Sequence, residues 1–345
     1  MGEPTRRPTI ADIAREVGVT KGAVSFALNG RPGVSAATRA RILATAERLG
    51  WQPNTVARSL SNLRSGSVGL VVTRPISLLG VEPFYMRLIA GLERALHADG
   101  RSLLLAVTDH AADAADIYRS WWASGRVDGL VLTDLRVDDP RLATVAELGI
   151  PTVVLGAPSP PPPGLSAVVG DDGPTLRAAL EHLAGLGHRR IARVSGPADF
   201  AHAARRNAGF AALATELLGS TPTQVHTRYL SDQVLAATRE LLAGPEPPTA
   251  IVYDSDLLAV TVVGSATELG IRVPADVAVL AWDDSPLCEL VRPRITAFSH
   301  DIDADGAAAI AVLTEQLRTG VPQYAELAPR TLTVRESTAG YSKPV

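Results

Sequence analysis

The chain of 345 residues has a single cysteine, Cys288, and only two lysines among its 33 basic residues. One thiol excludes an intramolecular disulfide and a Cys-x-x-Cys zinc site, and leaves Cys288 to packing. No run of 18 apolar residues occurs and the first residues hold no apolar signal segment. The sequence therefore reads as neither secreted nor membrane-spanning, and a cytoplasmic location is expected. Catalytic signatures are missing too: there is no G-x-S-x-G elbow, no H-E-x-x-H and no Walker A loop. The seven histidines form no metal-spaced cluster. His182 and His188 read as helix-face and turn residues. Asp138-Asp139 and Asp171-Asp172 fall at loops and helix starts, where carboxylates cap. These absences predict no catalytic residue, no metal and no cofactor, so the chain is not expected to be an enzyme.

Charge is present but unevenly placed. Residues 1–64 carry ten Arg and Lys against four Asp and Glu, a net of +6. The rest of the chain holds 23 basic and 32 acidic residues, a net of −9. A basic module on an acidic body is the footprint of a nucleic-acid arm, which the near-neutral balance of the whole chain conceals.

The basic module has a readable order. Thr9 is a good N-cap with Asp12 three residues on, and Ile10, Ile13, Ala14 and Val17 recur at helical spacing. Gly18 ends that helix. Thr20 caps a second helix over 21–28, with Val24 and Leu28 turned to the same small core, and Asn29-Gly30 breaks it. Ser35 caps a third helix, whose Ile42, Ala46 and Leu49 close the core before Gly50. Helix, glycine turn and second helix at this spacing make a helix-turn-helix. A plain three-helix bundle is the alternative, and the charge argues against it.

A short segment follows. Pro53 suits a helix start, yet the piece is shorter than the ~12–15 residues an isolated helix needs in water. It is expected to fold only against a partner, leaving Leu60 as an apolar wedge for a minor-groove step. A solvated linker carrying a stray leucine is the alternative.

Beyond residue 66, strand-like apolar runs alternate with helical stretches: strands at 67–72, 103–107, 130–133, 152–155, 191–194, 250–253 and 277–282, with helices between them. Such alternation implies parallel sheets covered on both faces. A Pro-rich stretch over 158–164 interrupts the pattern, which suggests two doubly wound lobes with a cleft between them. Ligands in such sheets bind beyond the strand ends. Thr73 and Arg74, after the first strand, and Phe84-Tyr85 are placed to face the cleft from one lobe, the last two able to stack on a sugar ring.

The segments ADIAREVGVT, AVSFALNG, VSAATRARI and PNTVARSL resemble the LacI/GalR family of bacterial transcription regulators. So do VDGLVL, ELGIPTVVL, HLAGLGHRRIA, RNAGF, PPTAIVYDSDLLA and VPADVAVLAWDD in the body. The resemblance implies an α/β architecture: an N-terminal three-helix helix-turn-helix head plus a short hinge helix, then a two-lobed periplasmic-binding-protein-like body of doubly wound parallel sheets. The expected division is a DNA-binding head over 1–50, a hinge segment over 51–65, and an effector-binding and dimerisation domain over 66–345. Within that body, lobe one takes about 66–165 and 297–322, and lobe two about 166–296 and 323–345.

The same resemblance places Arg206 and Asp283 as effector contacts, by a forked donor and a hydroxyl-accepting carboxylate. Ser255 stands where many members carry asparagine; serine reaches less far and offers fewer donors, so their effectors do not carry over to this chain. It also implies a homodimer on double-stranded operator DNA, with the helix over 21–28 in the major groove of a pseudo-palindrome. Lys21 reads guanine or touches phosphate. Gly22 offers no side chain. Phe26, where relatives often carry a polar residue, either meets a thymine methyl or packs. Thr20, Ser25 and Asn29 are assigned to phosphates, and Thr9, Asn54, Ala57, Arg58 and Leu60 complete the expected DNA contacts. The family pattern is a repressor controlled by a sugar, with inducer and corepressor both open and no membrane partner. A solute-binding receptor and an architectural DNA binder are the rival classes. The first would have a secretion signal and no DNA head, and the second has no use for a two-lobed body.

Overall fold

The computed structural model describes residues 8–51 and 65–339. The chain divides into two compact units, one ending at Ser65 and the other beginning at Gly66.

In the first unit, α1 (Ile10–Val17), α2 (Lys21–Leu28) and α3 (Ala36–Arg48) enclose a core of Ile13, Val17, Val24, Ala27, Ile42 and Ala46. The caps form as the sequence dictates. The Thr9 amide and hydroxyl both donate to Asp12, at 2.9 and 2.6 Å. Gly18 takes the left-handed conformation with φ 75° that ends α1. Thr20 Oγ1 accepts from the Ala23 amide and Ser35 Oγ from the Thr38 amide. Gln52 through Arg64, the hinge segment with Asn54, Ala57, Arg58 and Leu60, lies outside the described residues.

The second unit contains two six-stranded sheets. In chain order its elements are β1 (Ser67–Thr73), α4 (Ile76–Leu79), α5 (Pro83–Ala98), β2 (Ser102–Thr108), α6 (Ala111–Ala123), β3 (Gly129–Leu132), α7 (Pro140–Leu148), β4 (Thr152–Ala157) and β5 (Ser166–Val169). Then come α8 (Gly173–Gly185), β6 (Ile191–Ser195), α9 (Ala201–Leu218), β7 (Gln224–His226), α10 (Ser231–Ala243), β8 (Ala250–Tyr253), α11 (Asp256–Gly264), α12 (Ala266–Leu269) and β9 (Ala278–Ala281). The last are α13 (Leu287–Leu290), β10 (Thr296–Ser299), α14 (Ile302–Thr319), β11 (Tyr324–Glu326) and β12 (Thr331–Thr333).

The first sheet runs β11-β5-β4-β3-β1-β2, parallel throughout. The second runs β12-β10-β9-β8-β6-β7, with only β12 antiparallel. Each sheet has an apolar cluster on both faces, so each lobe is a helix–sheet–helix sandwich. Among the described residues, no helix is long and apolar enough to cross a membrane.

The chain crosses between the lobes later than the sequence suggested. Ser166–Val169, assigned to lobe two, pairs with β4 in the first sheet. Tyr324–Glu326, also assigned to lobe two, pairs with β5 there. Residues 297–299, assigned to lobe one, belong to β10 of the second sheet. The Pro-rich stretch is therefore a loop between neighbouring strands of one sheet, not the point of passage. The helical stretch between β8 and β9 is broken at Ser265 into α11 and α12.

Lobe one depends on a close helix crossing. A Cβ at Gly91 of α5 would lie 2.5 Å from the Asp303 carbonyl oxygen of α14, and one at Gly306 would lie 2.9 Å from the Leu92 amide. Backbone on the far side cannot swing away as a side chain would. Gly91→Ala gains up to about 1 kcal/mol in helix propensity but forces overpacking worth about 1–3 kcal/mol. Net destabilisation is expected, as a lowered urea midpoint; a raised one would contradict the crossing.

Candidate binding cleft and nucleic-acid face

Both sheets point the carboxyl ends of their strands at one cleft, where loops and helix starts meet. It encloses a cavity of about 370 Å³, within the range of small-molecule sites. The lobes also touch directly beside it. Val137 donates to the Asp199 carbonyl at 2.8 Å, Ala201 to the Leu135 carbonyl at 2.7 Å, and Arg136 pairs with Asp199.

Five of the seven expected effector residues line this cavity: Arg74, Phe84, Arg206, Ser255 and Asp283. Thr73 and Tyr85 do not. Thr73 is the buried last residue of β1, and successive strand residues point to opposite sides, so the next residue, Arg74, enters the cleft. Tyr85 is fully buried in the lobe-one core, and its hydroxyl donates to Asp134. It therefore supports the wall of the site and offers no face for stacking. Ser255 has a second task, because its Oγ caps α11 by accepting from Leu258 at 3.4 Å.

The cavity is lined by eight carboxylates and four arginines, and every one of those arginines has a protein partner. Arg74 pairs with Asp134 at 2.9 Å and lies over the rings of Tyr229 and Phe200, 4.5 and 4.8 Å from their centroids. Arg206 contacts Asp172 at 3.1 Å and Asp254 at 3.3 Å, with its guanidinium 4.4 Å from the centre of the Trp282 ring. Arg330 donates to Asp283 at 2.7 Å, to the Trp282 carbonyl and to His300. Arg205 donates to the Gly156 carbonyl at 3.3 Å. Behind these, the fully buried Arg193 holds Asp254 at 2.5 Å and also pairs with Asn207.

Burial raises carboxylate pKa values and opposite charge lowers them. For Asp134, burial is outweighed by Arg74, His202 and the Tyr85 hydroxyl, which hold it at about 2. For Asp254, burial is likewise outweighed by Arg193 and Arg206, again giving about 2. In Glu82 and Asp305 burial dominates instead, over Arg74 and Arg330 respectively, and pushes them up to about 7 and about 6.

Several lining residues escaped the sequence reading. Glu82, Asp134, Asp172, His202, Tyr229, Asp254, His300 and Arg330 all line the cavity. Asp172, expected only to cap a helix, makes no cap hydrogen bond and holds Arg206 instead. By contrast, Asp139 does cap α7, accepting from Arg141. The neighbours of Arg206 within the chain announced a site; nothing local announced Arg330, which arrives from the passage between β11 and β12.

In the head, Thr20, Lys21, Gly22, Phe26 and Asn29 form the exposed side of α2, opposite Val24 and Ala27, and Ser25 is half-buried among them. Asn29 Nδ2 donates to the Ser25 carbonyl at 2.9 Å, so these two side chains are mutually ordered. Phe26 is 42% exposed, yet a Cβ on Gly33 would stand 3.3 Å from its ring. The ring rests on that turn while presenting an edge to solvent. The Thr9 hydroxyl is committed to Asp12.

Comparison with known proteins agrees with both units. Residues 9–54 match the family described as bacterial regulatory proteins, lacI family, and residues 180–338 match a periplasmic binding protein-like domain. The chain is 33% identical to the HTH-type transcriptional regulator CelR of Thermobifida fusca over 97% of this chain and 99% of that protein. The chain belongs to the lacI family of bacterial regulatory proteins. A solved transcriptional regulator CelR–cellobiose complex is 32% identical, with TM-score 0.72 over 96% of this chain and all of that one. The lac repressor dimer bound to operator and the anti-inducer ONPF shares the fold, with TM-score 0.82 at 24% identity over 96% and 99% of the two chains. This lacI-family protein is thus a transcriptional regulator with a helix-turn-helix head.

The cleft of this lacI-family regulator carries a pH dependence. Burial, with Arg330 beside it, takes His300 down to about 4, and burial, with Arg206 nearby, takes His202 to about 4. The unfolded chain binds those protons near the ordinary value of 6.5, so the stability from the neutral imidazoles is present above that and is lost as pH falls toward 4. Asp305, raised by burial to about 6, acts in the opposite sense. His300→Gln should therefore lose less unfolding free energy than the parent between pH 6.5 and 4.5 in urea titrations. Equal slopes for both proteins would refute a neutral buried His300.

Proposed function

We propose that the chain is a repressor that binds a pseudo-palindromic operator as a homodimer and is controlled by an uncharged sugar in the cleft. The observation that carries the ligand class is the charge state of the cavity. Three of its four arginines are paired with carboxylates, Arg205 donates only to the Gly156 carbonyl, and carboxylates outnumber the arginines two to one. A phosphate or carboxylate ligand meets only one arginine there without a carboxylate partner, Arg205, whereas hydroxyl groups meet many acceptors. Similarity to a regulator solved with cellobiose favours the same class.

On the DNA side, α2 enters the major groove with Lys21 and Phe26 toward base edges, while Thr20, Ser25 and Asn29 fix register on phosphates. The segment around Asn54, Ala57 and Arg58 becomes helical against the minor groove, and Leu60 opens the central step. The sugar changes the angle between the lobes and so the spacing of the two hinge segments. Linkage requires it to prefer one lobe arrangement over the other.

A thermal-shift titration of the purified protein with cellobiose, maltose, glucose and glucose 6-phosphate tests the ligand class, since binding to the folded state alone raises the midpoint. A neutral sugar should raise it in a concentration-dependent way and release labelled operator. Stabilisation by glucose 6-phosphate alone would overturn the reading. Leu60→Ala should weaken specific operator binding about tenfold or more while non-specific binding falls far less; equal losses would remove the wedge. In Arg206→Ala, operator binding should survive and the sugar response should vanish, as read by fluorescence anisotropy. A response at the parental sugar concentration would remove Arg206 from the site.

A further inference from the structure

Glu82 precedes Pro83 at the start of α5, where a carboxylate ordinarily caps its own helix. It makes no such bond. The residue is 7% exposed, lines the cavity, and its Oε2 has no hydrogen-bond partner. Arg74, the neighbouring cation, is already taken by Asp134. On the opposite lobe, Asp254 spends one oxygen on Arg193 and Arg206 and keeps a buried, unpartnered Oδ2. A buried polar atom without a partner is destabilising, and no group among the described residues offers either of these two a hydrogen bond.

We propose that Glu82 is a specificity-determining effector contact, accepting a hydrogen bond from a ligand hydroxyl while Asp254 Oδ2 accepts a second from across the cleft, so that anionic sugars are rejected. The inference rests on the sugar reading and sharpens it. A negatively charged ligand beside Glu82 would meet not only that carboxylate but Asp134 after β3, Asp283 after β9 and Asp256 of α11. Against these stand Arg74 after β1 and the hydroxyls of Tyr85 and Tyr229. A hydroxyl donor favours the ionised carboxylate. Because burial has raised Glu82 to about 7, binding that favours the ionised form should release a proton below that pH, and affinity should climb with pH through neutrality.

The test is isothermal titration calorimetry on the full chain at pH 6 and pH 8. The probes are cellobiose and glucose as neutral sugars and glucuronic acid and glucose 6-phosphate as anionic ones. Wild type, Glu82→Gln and Glu82→Ala are compared. Wild type should bind a neutral probe up to about tenfold more tightly at pH 8 than at pH 6, with proton release, and should bind the anions at least tenfold more weakly. Glu82→Gln should lose the pH dependence and narrow the gap between neutral and anionic probes, and Glu82→Ala should bind more weakly still.

Equal affinities and equal pH slopes in all three proteins would overturn the role of Glu82 and leave the sugar reading standing. Wild-type binding of an anionic probe as tightly as a neutral one would overturn the rejection. If wild type binds no probe, the sugar reading itself falls, and melting temperature decides Glu82. An unpartnered acceptor predicts a Glu82→Gln midpoint at or above wild type, and a lowered one means that Glu82 serves the fold.

Discussion

A buried charge must be paired, and that constraint shapes this molecule more than any single apolar contact. Arg193, Arg206, Arg74 and Arg330 converge on the space between the lobes, and each brings a carboxylate with it. Taking a guanidinium out of water is repaid only by good geometry and additional hydrogen bonds. The aromatic faces of Trp282, Tyr229 and Phe200 supply the remaining shielding. The result is a preorganised polar wall in which two buried acceptors remain unused, Glu82 Oε2 and Asp254 Oδ2. What the protein leaves unsatisfied is the shape of what it expects to receive.

The same pairs tie the lobes to each other. Arg74 belongs to the first lobe by its strand and by Asp134, yet the rings it covers, Phe200 and Tyr229, come from the second. His202 of α9 lies 3.8 Å from Asp134 across the cleft. Arg330 sits in the passage from β11 to β12 and grips Asp283 of the second lobe and His300, the residue just after β10. A ligand that rearranges these partners acts on the segments through which the chain changes lobes. These are the discrete contacts through which the proposed ligand would act on the angle between the lobes.

Much of the fold was legible because local rules governed it. Thr9, Gly18, Thr20 and Ser35 cap and end the head helices by chemistry within four residues, and the alternation of strands and helices was enough to read two wound sheets. What escaped was non-local. The edge strand β7 has three residues and pairs on one side only, too little for a pattern. The late crossings rest on β5 pairing with β11 across more than 150 residues. In the cleft, Arg206 and Asp283 were visible through their neighbours in sequence. Glu82, Tyr229, His300 and Arg330 become a site only when passages from both lobes close on one space. Tyr85 and Thr73 were misplaced for the complementary reason: the sequence gives proximity to a strand end, and side-chain direction decides which neighbour enters.

The division of charge completes the argument for how such a body controls a DNA head. The 23 basic and 32 acidic residues beyond the head give the body no net attraction for phosphate. Affinity must then come from the +6 of the first 64 residues, through release of counterions in proportion to the phosphates neutralised. One head with so few cations is a weak and poorly selective binder at physiological salt. Two heads held at a fixed spacing bind with an effective concentration set by what holds them. Under that arithmetic a body that pairs two heads, as proposed, controls DNA affinity without itself attracting phosphate. For the proposed dimer, what the body contributes is the spacing at which the two heads are held.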